Sequence, residues 1–428
     1  MLSLAFLYLA AVPAFPGAEG YGAATPGGRG GRILFVDNLN DSGPGSFREA
    51  LDTQGPRIIL FRTGGLIALK THLKISQPFV TIAGQSAPGD GICLKGGSLV
   101  VATHDVIIRH IRSRFGNEHG EGDAISVATP SRRVILYHVS ASWSVDESLS
   151  PSGDIADVTV QWSFIAESLN KSAHSKGLHG YGTLARAVGG VTFHHNLWAH
   201  HSGRNPRFGD NYGKGEPAFY DFRNNVLYNW GGYCSGLTDG RIRVNYVANY
   251  LRYGASSSKR NPIYIGDNAT AETMFYVQGN VVDAHLEFTS DNAKMFDRTE
   301  TAAKKLVTIQ PKPFDAPAVK TSSPAQAYED VLKSAGATKP KRDSVDIRVA
   351  KHVRTSTGKI IDTTDEVGGW PEYASGEPPA DEDKDGIPDA WERRRKLNPR
   401  DASDAAKLSP SGYTWIEQYL NELADSPQ

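Results

Sequence analysis

The chain has 428 residues, with 46 Lys plus Arg against 47 Asp plus Glu and a formal net charge of −1. That balance excludes a broad basic field for nucleic acid, so any polyanionic partner must be gripped locally. Its 44 glycines suit turn-rich β structure, and the only two cysteines, Cys93 and Cys234, lie on separate segments and read as two buried thiols rather than a pair.

Residues 1–14 form a short apolar run that ends in Val12-Pro13-Ala14. The run is too short to span a bilayer, and Val12-x-Ala14 suits a signal peptidase, so a secretory leader is expected even though no Lys or Arg precedes the apolar stretch. A first buried strand is the competing reading. No later segment reaches transmembrane length, so the expected product is secreted, has no membrane partner and acts as a monomer.

From Val80 onward one pattern restarts every 24 to 33 residues: Val80-Thr81-Ile82, Val106-Ile107-Ile108, Val134-Ile135-Leu136, Val158-Thr159-Val160, Val191-Thr192-Phe193, Tyr220-Asp221-Phe222 and Val244-Asn245-Tyr246. Each restart alternates with period two and is followed by polar or glycine-containing residues. A unit of this size buries its apolar face only by stacking on copies of itself, which predicts an all-β parallel solenoid over residues 15–300. Five residues after Val191, Tyr220, Val244 and Phe275 stand Asn196, Asn225, Asn249 and Asn280, which predicts a ladder of amides at one corner. His195 falls at the same corner as His110, His138 and Trp162, so ring packing is preferred there over catalysis or zinc binding. Arg109, Tyr137, Gln161, His194 and Arg223 form an outward stripe, read as a solvated face covered by loops.

Residues one coil apart lie side by side in such a stack. Asp123 and Asp146 are about one coil apart, Glu121 shares the face of Asp123, and Glu147 adjoins Asp146. Carboxylates this close repel unless a cation sits among them, and oxygen donors without nearby His or Cys favour Ca²⁺. On the next coils the sign changes: Lys171, Lys176, then Arg204 and Arg207 in Ser202-Gly203-Arg204-Asn205-Pro206-Arg207. An acidic metal pocket beside a cationic strip suits an anionic polymer.

Residues 301–375 read as a segment that wraps back along the solenoid, with one helix from Ser323 to Ala335, started by Ser-Pro and stopped by Gly336. In the tail, 376–428, Asp381, Asp383, Asp385, Gly386, Asp389 and Glu392 hold positions 1, 3, 5, 6, 9 and 12 of an EF-hand-type loop. A second, structural Ca²⁺ is expected there.

Phe15-Pro16-Gly17-Ala18-Glu19-Gly20-Tyr21-Gly22, Gly122-Asp123-Ala124-Ile125, His138-Val139-Ser140-Ala141-Ser142-Trp143-Ser144-Val145-Asp146-Glu147, Thr192-Phe193-His194-His195-Asn196 and Arg204-Asn205-Pro206-Arg207-Phe208-Gly209 together resemble the pectate lyases of polysaccharide lyase family 1. The resemblance implies a right-handed, single-stranded parallel β-helix and calcium-dependent β-elimination of polygalacturonate, an acidic polysaccharide. It makes Asp123 and Asp146 calcium ligands, with Glu121 as a further acidic ligand, and Arg204 the base that takes the C5 proton of the uronate. Ser150 stands where the family has a third Asp, and Glu147 is the candidate replacement. Gly209 stands where many members place a substrate-binding Arg, a role that passes to Arg207. Lys176 is preferred over Lys171 as the lysine of the catalytic site. A polygalacturonase-type hydrolase using Asp123 and Asp146, or a non-catalytic polysaccharide-binding solenoid, are the rival readings.

Overall fold

The computed structural model describes residues 12–237, 240–258, 261–267, 269–297 and 303–425, so residues 1–11 of the expected leader lie outside the described residues. Among the described residues the chain winds through three parallel sheets, one of eleven strands and two of nine, as a right-handed parallel β-helix with a small C-terminal extension of helices and loops. One coil crosses the first sheet at His104–Arg109, the second at Arg112–Arg114 and the third at Ile125–Ala128; the next crosses at Ser131–Tyr137, Ser140–Ser142 and Leu149–Ser152. The restarts are in register across the first sheet: Val80 pairs with Val106, Val106 with Val134, Val134 with Val158, Val158 with Val191, Val191 with Tyr220, and Tyr220 with Val244. Alternation sends these side chains inward, where they form one continuous buried core. Stacking continues past the fading of the sequence pattern, through Phe296–Asp297 to a last strand at Thr308–Ile309.

The turn from the first sheet to the second is built the same way in coil after coil. His110, His138, Trp162, His195, Asn224 and Ala248 each take a left-handed conformation there, with φ of 54°, 53°, 53°, 55°, 53° and 52°. Ring stacking holds the first four together: His110 on His138 at 4.9 Å and Trp162 on His195 at 4.3 Å between centroids, with interplanar angles of 8° and 14°. One residue further on, the backbone N–H and Nδ2 of Asn196 donate to Asn225 Oδ1 at 3.0 and 3.1 Å, and Asn225 donates to Asn249 Oδ1 at 2.9 and 3.1 Å. Asn249 donates to Asn280 in the same way, and Asn292 continues the ladder by accepting from Asn280. Asn196, Asn225, Asn249 and Asn280 are buried, and the side-chain oxygens of Asn225, Asn249 and Asn280 each accept from the backbone N–H of the preceding coil.

The outward stripe is not solvated. Residues 15–28 lie across it: the ring centroid of Phe15 is 4.5 Å from that of Tyr137, Arg109 sits over the Phe15 ring, and Gln161 accepts from Glu19 N–H at 3.1 Å. The backbone here comes too close for side chains, since a Cβ on Gly22 would sit 2.2 Å from Val134 O. Threonines of the sheet anchor it, Thr81 accepting from Gly28 N–H and Thr159 from Gly22 N–H, both at 2.9 Å. Cys93 and Cys234 are both buried and unpaired.

After the last strand the chain turns back. Its Pro324–Ser334 helix, capped by Ser323, packs on the second sheet. A second helix absent from the sequence reading, Ser344–Thr355, follows; Asp346 and its cap Asp343 meet buried Arg114 at 2.9 and 2.7 Å. The tail finally docks beside the first coils, where Ile387, Trp391, Ile416 and Leu420 bury against Ile58 and Leu60, and Arg29 pairs with Glu417 at 2.7 Å. No helix among the described residues is long and apolar enough to cross a membrane.

Two outcomes follow from the corner. Asn225→Ala orphans backbone groups on two coils and is expected to destabilise the protein by about 2–4 kcal/mol, read from a denaturant midpoint. Burial holds the His138 imidazole down to about 3 and that of His195 to about 4, below the ordinary range. The unfolded chain therefore binds more protons below about pH 6.5, and stability falls as pH drops from there toward 4. From pH 7 to 5 each such ring costs about 2 kcal/mol; His138→Asn, whose side chain tolerates the left-handed turn, is expected to flatten a plot of midpoint against pH.

Candidate active site

The candidates in the solenoid lie on the loops that join the second sheet to the third, with Arg207 at the start of the third-sheet strand Arg207–Asp210, so all of them emerge along one edge of the stack. Backbone bonds hold these loops in step. Val145 N–H donates to Gly122 O at 3.2 Å, Glu147 pairs as a parallel bridge with Tyr181, and Tyr181 with Gly203. The coils carrying Asp123, Asp146 and Glu147, Tyr181, and Arg204 are therefore consecutive rungs about 4.8 Å apart.

Asp123 Oδ1 accepts from Glu147 N–H at 3.0 Å and its Oδ2 from Ser126 Oγ at 2.7 Å. Asp146 Oδ1 lies 2.8 Å from His179 Nε2. Glu147 is buried and ion-pairs with Arg204, whose guanidinium lies over the Tyr181 ring at 4.0 Å. Arg204 itself sits at a left-handed φ of 58°, which turns its side chain back toward the carboxylates. One oxygen each from Asp123, Asp146 and Glu147 falls within 4.8 Å of the others. Burial, then the neighbouring Asp146 charge, raises the Asp123 carboxyl; burial and the Asp123 charge raise Glu147 well above the carboxylate range, against the pull of Arg204. Three acid groups that cannot all ionise comfortably, and that offer only oxygen, fit a hard divalent cation.

The expectation that no histidine lies near this group is corrected. The loop 167–183 folds over the acidic pocket and brings in His174 and His179, stacked at 3.7 Å. His174 Nδ1 accepts from Lys176 N–H at 3.0 Å, so its proton is on Nε2, which faces Glu121 at 3.7 Å and Asp146 at 3.8 Å. That nitrogen is a donor toward carboxylates and has no lone pair for a metal. Glu121 is exposed and accepts from Ser175 N–H at 2.6 Å. Lys171 and Lys176 are exposed on the same loop, and no hydrogen bond or ion pair among the described residues joins either to Arg204. Beside Glu147, Arg204 is flanked by Tyr181 and the half-buried Arg207, while Ser150 Oγ accepts from Leu184 N–H at 3.1 Å and takes no part in the acidic group. Tyr181, His174 and His179 were missed because they belong to a long insertion with no repeat to place it.

The tail holds a second acidic centre. Asp381, Asp383 and Asp385 converge, and Asp385 also meets Glu392 and Asp404. Asp389 points elsewhere, accepting from Glu382 N–H at 2.8 Å and pairing with Arg393 at 3.0 Å. Asp404, outside the loop pattern, occupies the group. Both oxygens of Glu392, with Asp383 Oδ2, Asp385 Oδ2 and Asp404 Oδ1, are buried without a hydrogen-bond partner. Burial, then neighbouring charge, pushes Asp385 up to about 8 and Glu392 up to about 7.

No family model matches the chain. It is 38% identical to "Probable pectate lyase C" of Aspergillus flavus over 98% of this chain and 96% of that one, and 38% identical to that of Aspergillus fumigatus (strain CBS 144.89 / FGSC A1163 / CEA10) over 97% and 95%. Among solved structures, it is similar to a pectate lyase from Bacillus sp. N165 in complex with trigalacturonate, with a TM-score of 0.53 and 18% identity over 74% of this chain and 98% of that one. It is also similar to jun a 1, the major allergen from cedar pollen, with a TM-score of 0.54 and 17% identity over 74% and 92%. Identity at this level along nearly the whole chain, on a parallel β-helix that gathers acids and arginines at one edge, shows that the chain belongs to the pectate lyases and is a polysaccharide lyase.

Proposed function

We propose that the protein is a secreted, calcium-dependent pectate lyase that cleaves polygalacturonate by β-elimination, with Arg204 as the base. The observation that carries this reading is the ion pair between Glu147 and Arg204, which places the acidic group and the guanidinium at one point of the cleft. The binding of trigalacturonate by the Bacillus relative supports an acidic polymer as substrate.

Asp123, Asp146 and Glu147 are the residues that would hold Ca²⁺, with Glu121 at the rim. When bound, the ion draws charge from a uronate carboxylate and makes the adjacent C5 proton more acidic. Arg204 removes that proton as the C4–O bond breaks and a C4=C5 double bond forms, leaving an unsaturated sugar and a leaving oxygen that takes a proton from water. A guanidinium is a weak base because its ordinary pKa lies above about 12. Burial and the like charge of Arg204 lower the Arg207 guanidinium, so the two arginines form one crowded cationic pair facing the acidic group. Arg207 binds a neighbouring carboxylate. Lys171 and Lys176, exposed on the loop 167–183, reach polymer from the rim of the cleft.

In the tail, Asp381, Asp383, Asp385, Glu392 and Asp404 are read as a structural Ca²⁺ site. The partnerless buried oxygens support it, since burying several carboxylates without hydrogen bonds is costly unless a cation compensates. Asp389 then serves as the helix-side brace of the loop through Arg393.

On polygalacturonate the wild type is expected to release an ultraviolet-absorbing product with an alkaline optimum. Arg204→Ala is expected to lower kcat about 10²–10⁴-fold, and chelator is expected to abolish turnover. Chelator-resistant cleavage, or cleavage without the unsaturated product, would refute the reading in favour of hydrolysis. For the tail, chelator is expected to lower the melting temperature of the Arg204→Ala protein, and Glu392→Gln to remove most of that response; an unchanged calcium shift would remove the second site.

A further inference from the structure

Past Arg204 toward the C-terminal end of the stack, the cleft continues over Gly203, Tyr233, Ser235, Gly236 and Tyr264. The third sheet sets its spacing. Arg207 pairs with Gly236, and Gly236 with Tyr264, so a guanidinium, a bare backbone and a phenol ring occupy one column on successive rungs. Gly236 leaves the floor open, since a Cβ there would press on Tyr264 O at 3.1 Å and Tyr264 Cβ at 3.4 Å. Tyr233 flanks the column, its ring centroid 4.6 Å from that of Tyr264 at an interplanar angle of 34°. The Tyr233 hydroxyl donates to Asp297 Oδ2 at 2.7 Å, which fixes that ring before any ligand arrives. Both rings are half-exposed.

Arg207 differs from the arginines around it. Arg204 has Glu147, Arg114 has Asp343 and Asp346, and Arg223 has Asp221. No carboxylate pairs with Arg207 among the described residues, although it is half-buried and faces the same cleft. A desolvated cation without a counter-ion is stabilised by an incoming anion, and a guanidinium matches a carboxylate in two-point geometry. Aromatic rings fixed beside an open floor take the apolar face of a ring-shaped ligand. A uronate unit supplies both groups together, a carboxylate and an apolar pyranose face.

We propose that Tyr233, Gly236 and Tyr264 form a distal subsite in which a uronate unit, one or more sugars away from the cleaved bond, stacks on the tyrosines and places its carboxylate on Arg207. The subsite rests on the pectate lyase reading and adds a length requirement to it: oligomers long enough to span Arg204 and Tyr264 gain affinity that shorter ones do not.

The test compares trigalacturonate with hexagalacturonate. In the Arg204→Ala protein, which binds without turnover, calorimetry is expected to show tighter binding of the hexamer, and added Tyr264→Leu is expected to cut the preference for hexamer over trimer about tenfold. Tyr264→Phe, which keeps the ring, is expected to retain it. In the protein with Arg204 intact, Tyr264→Leu is expected to lower the ratio of kcat/KM for hexamer to that for trimer by a similar factor. If Tyr264→Leu does not fold, Tyr233→Leu carries the same comparison. A ratio that stays at the wild-type value while the wild type cleaves polygalacturonate would overturn the subsite alone. Failure of the wild type to cleave would overturn the function on which it rests, and the subsite with it.

Discussion

The ladder between coils is the constraint from which the rest of the molecule follows. Parallel strands in strict register bring residues a full coil apart in sequence to within one rung of each other, and a slip by one residue would turn every core side chain outward. The register is over-determined at the corner, where amides, stacked rings and left-handed backbone recur at the same place in successive coils. Rigidity there lets the opposite edge carry long loops without losing alignment, so Asp123, Glu147, Tyr181 and Arg204 meet although 81 residues separate the first from the last.

At that edge the charges are sorted along the axis of the stack. Carboxylates crowd the earlier rungs and guanidiniums the later ones, and Glu147 is the hinge between them, buried, raised by its acidic neighbours and paired with Arg204. Paired with Arg204, Glu147 neutralises a cation that would otherwise stand in a half-dry cleft.

The solenoid was legible because its physics is periodic. Seven restarts, four asparagines and the ring column each repeat the same local condition, and all lie in register in the structure. The start and stop of the Pro324–Ser334 helix were equally local, fixed by Ser323 and Gly336. What sequence hid lies in the segments that do not repeat. His174 and His179 ride on a loop whose path is decided by contacts with distant residues, such as Asn170 N–H donating to Ile361 O at 2.9 Å. Asp404 stands 12 residues beyond Glu392 and joins the tail group only because the chain doubles back after the Asp389–Arg395 helix, bringing an acid from outside the loop pattern into the place assigned to Asp389. The covered stripe shows the same limit: outward alternation and a loop cover were legible, but not that the cover is the glycine-rich segment from the start of the chain.

A plain stack of coils would melt from whichever end is weakest, each rung depending only on the two beside it. Here the return segment touches the last strands through Asn245, the middle through His138 and Ser140, and the first coils through Leu60 and Arg29. Peeling either end therefore strips contacts from the other, and the two extremities of the fold are joined like the ends of a belt. The molecule should consequently lose its structure in a single concerted transition despite its one-dimensional architecture.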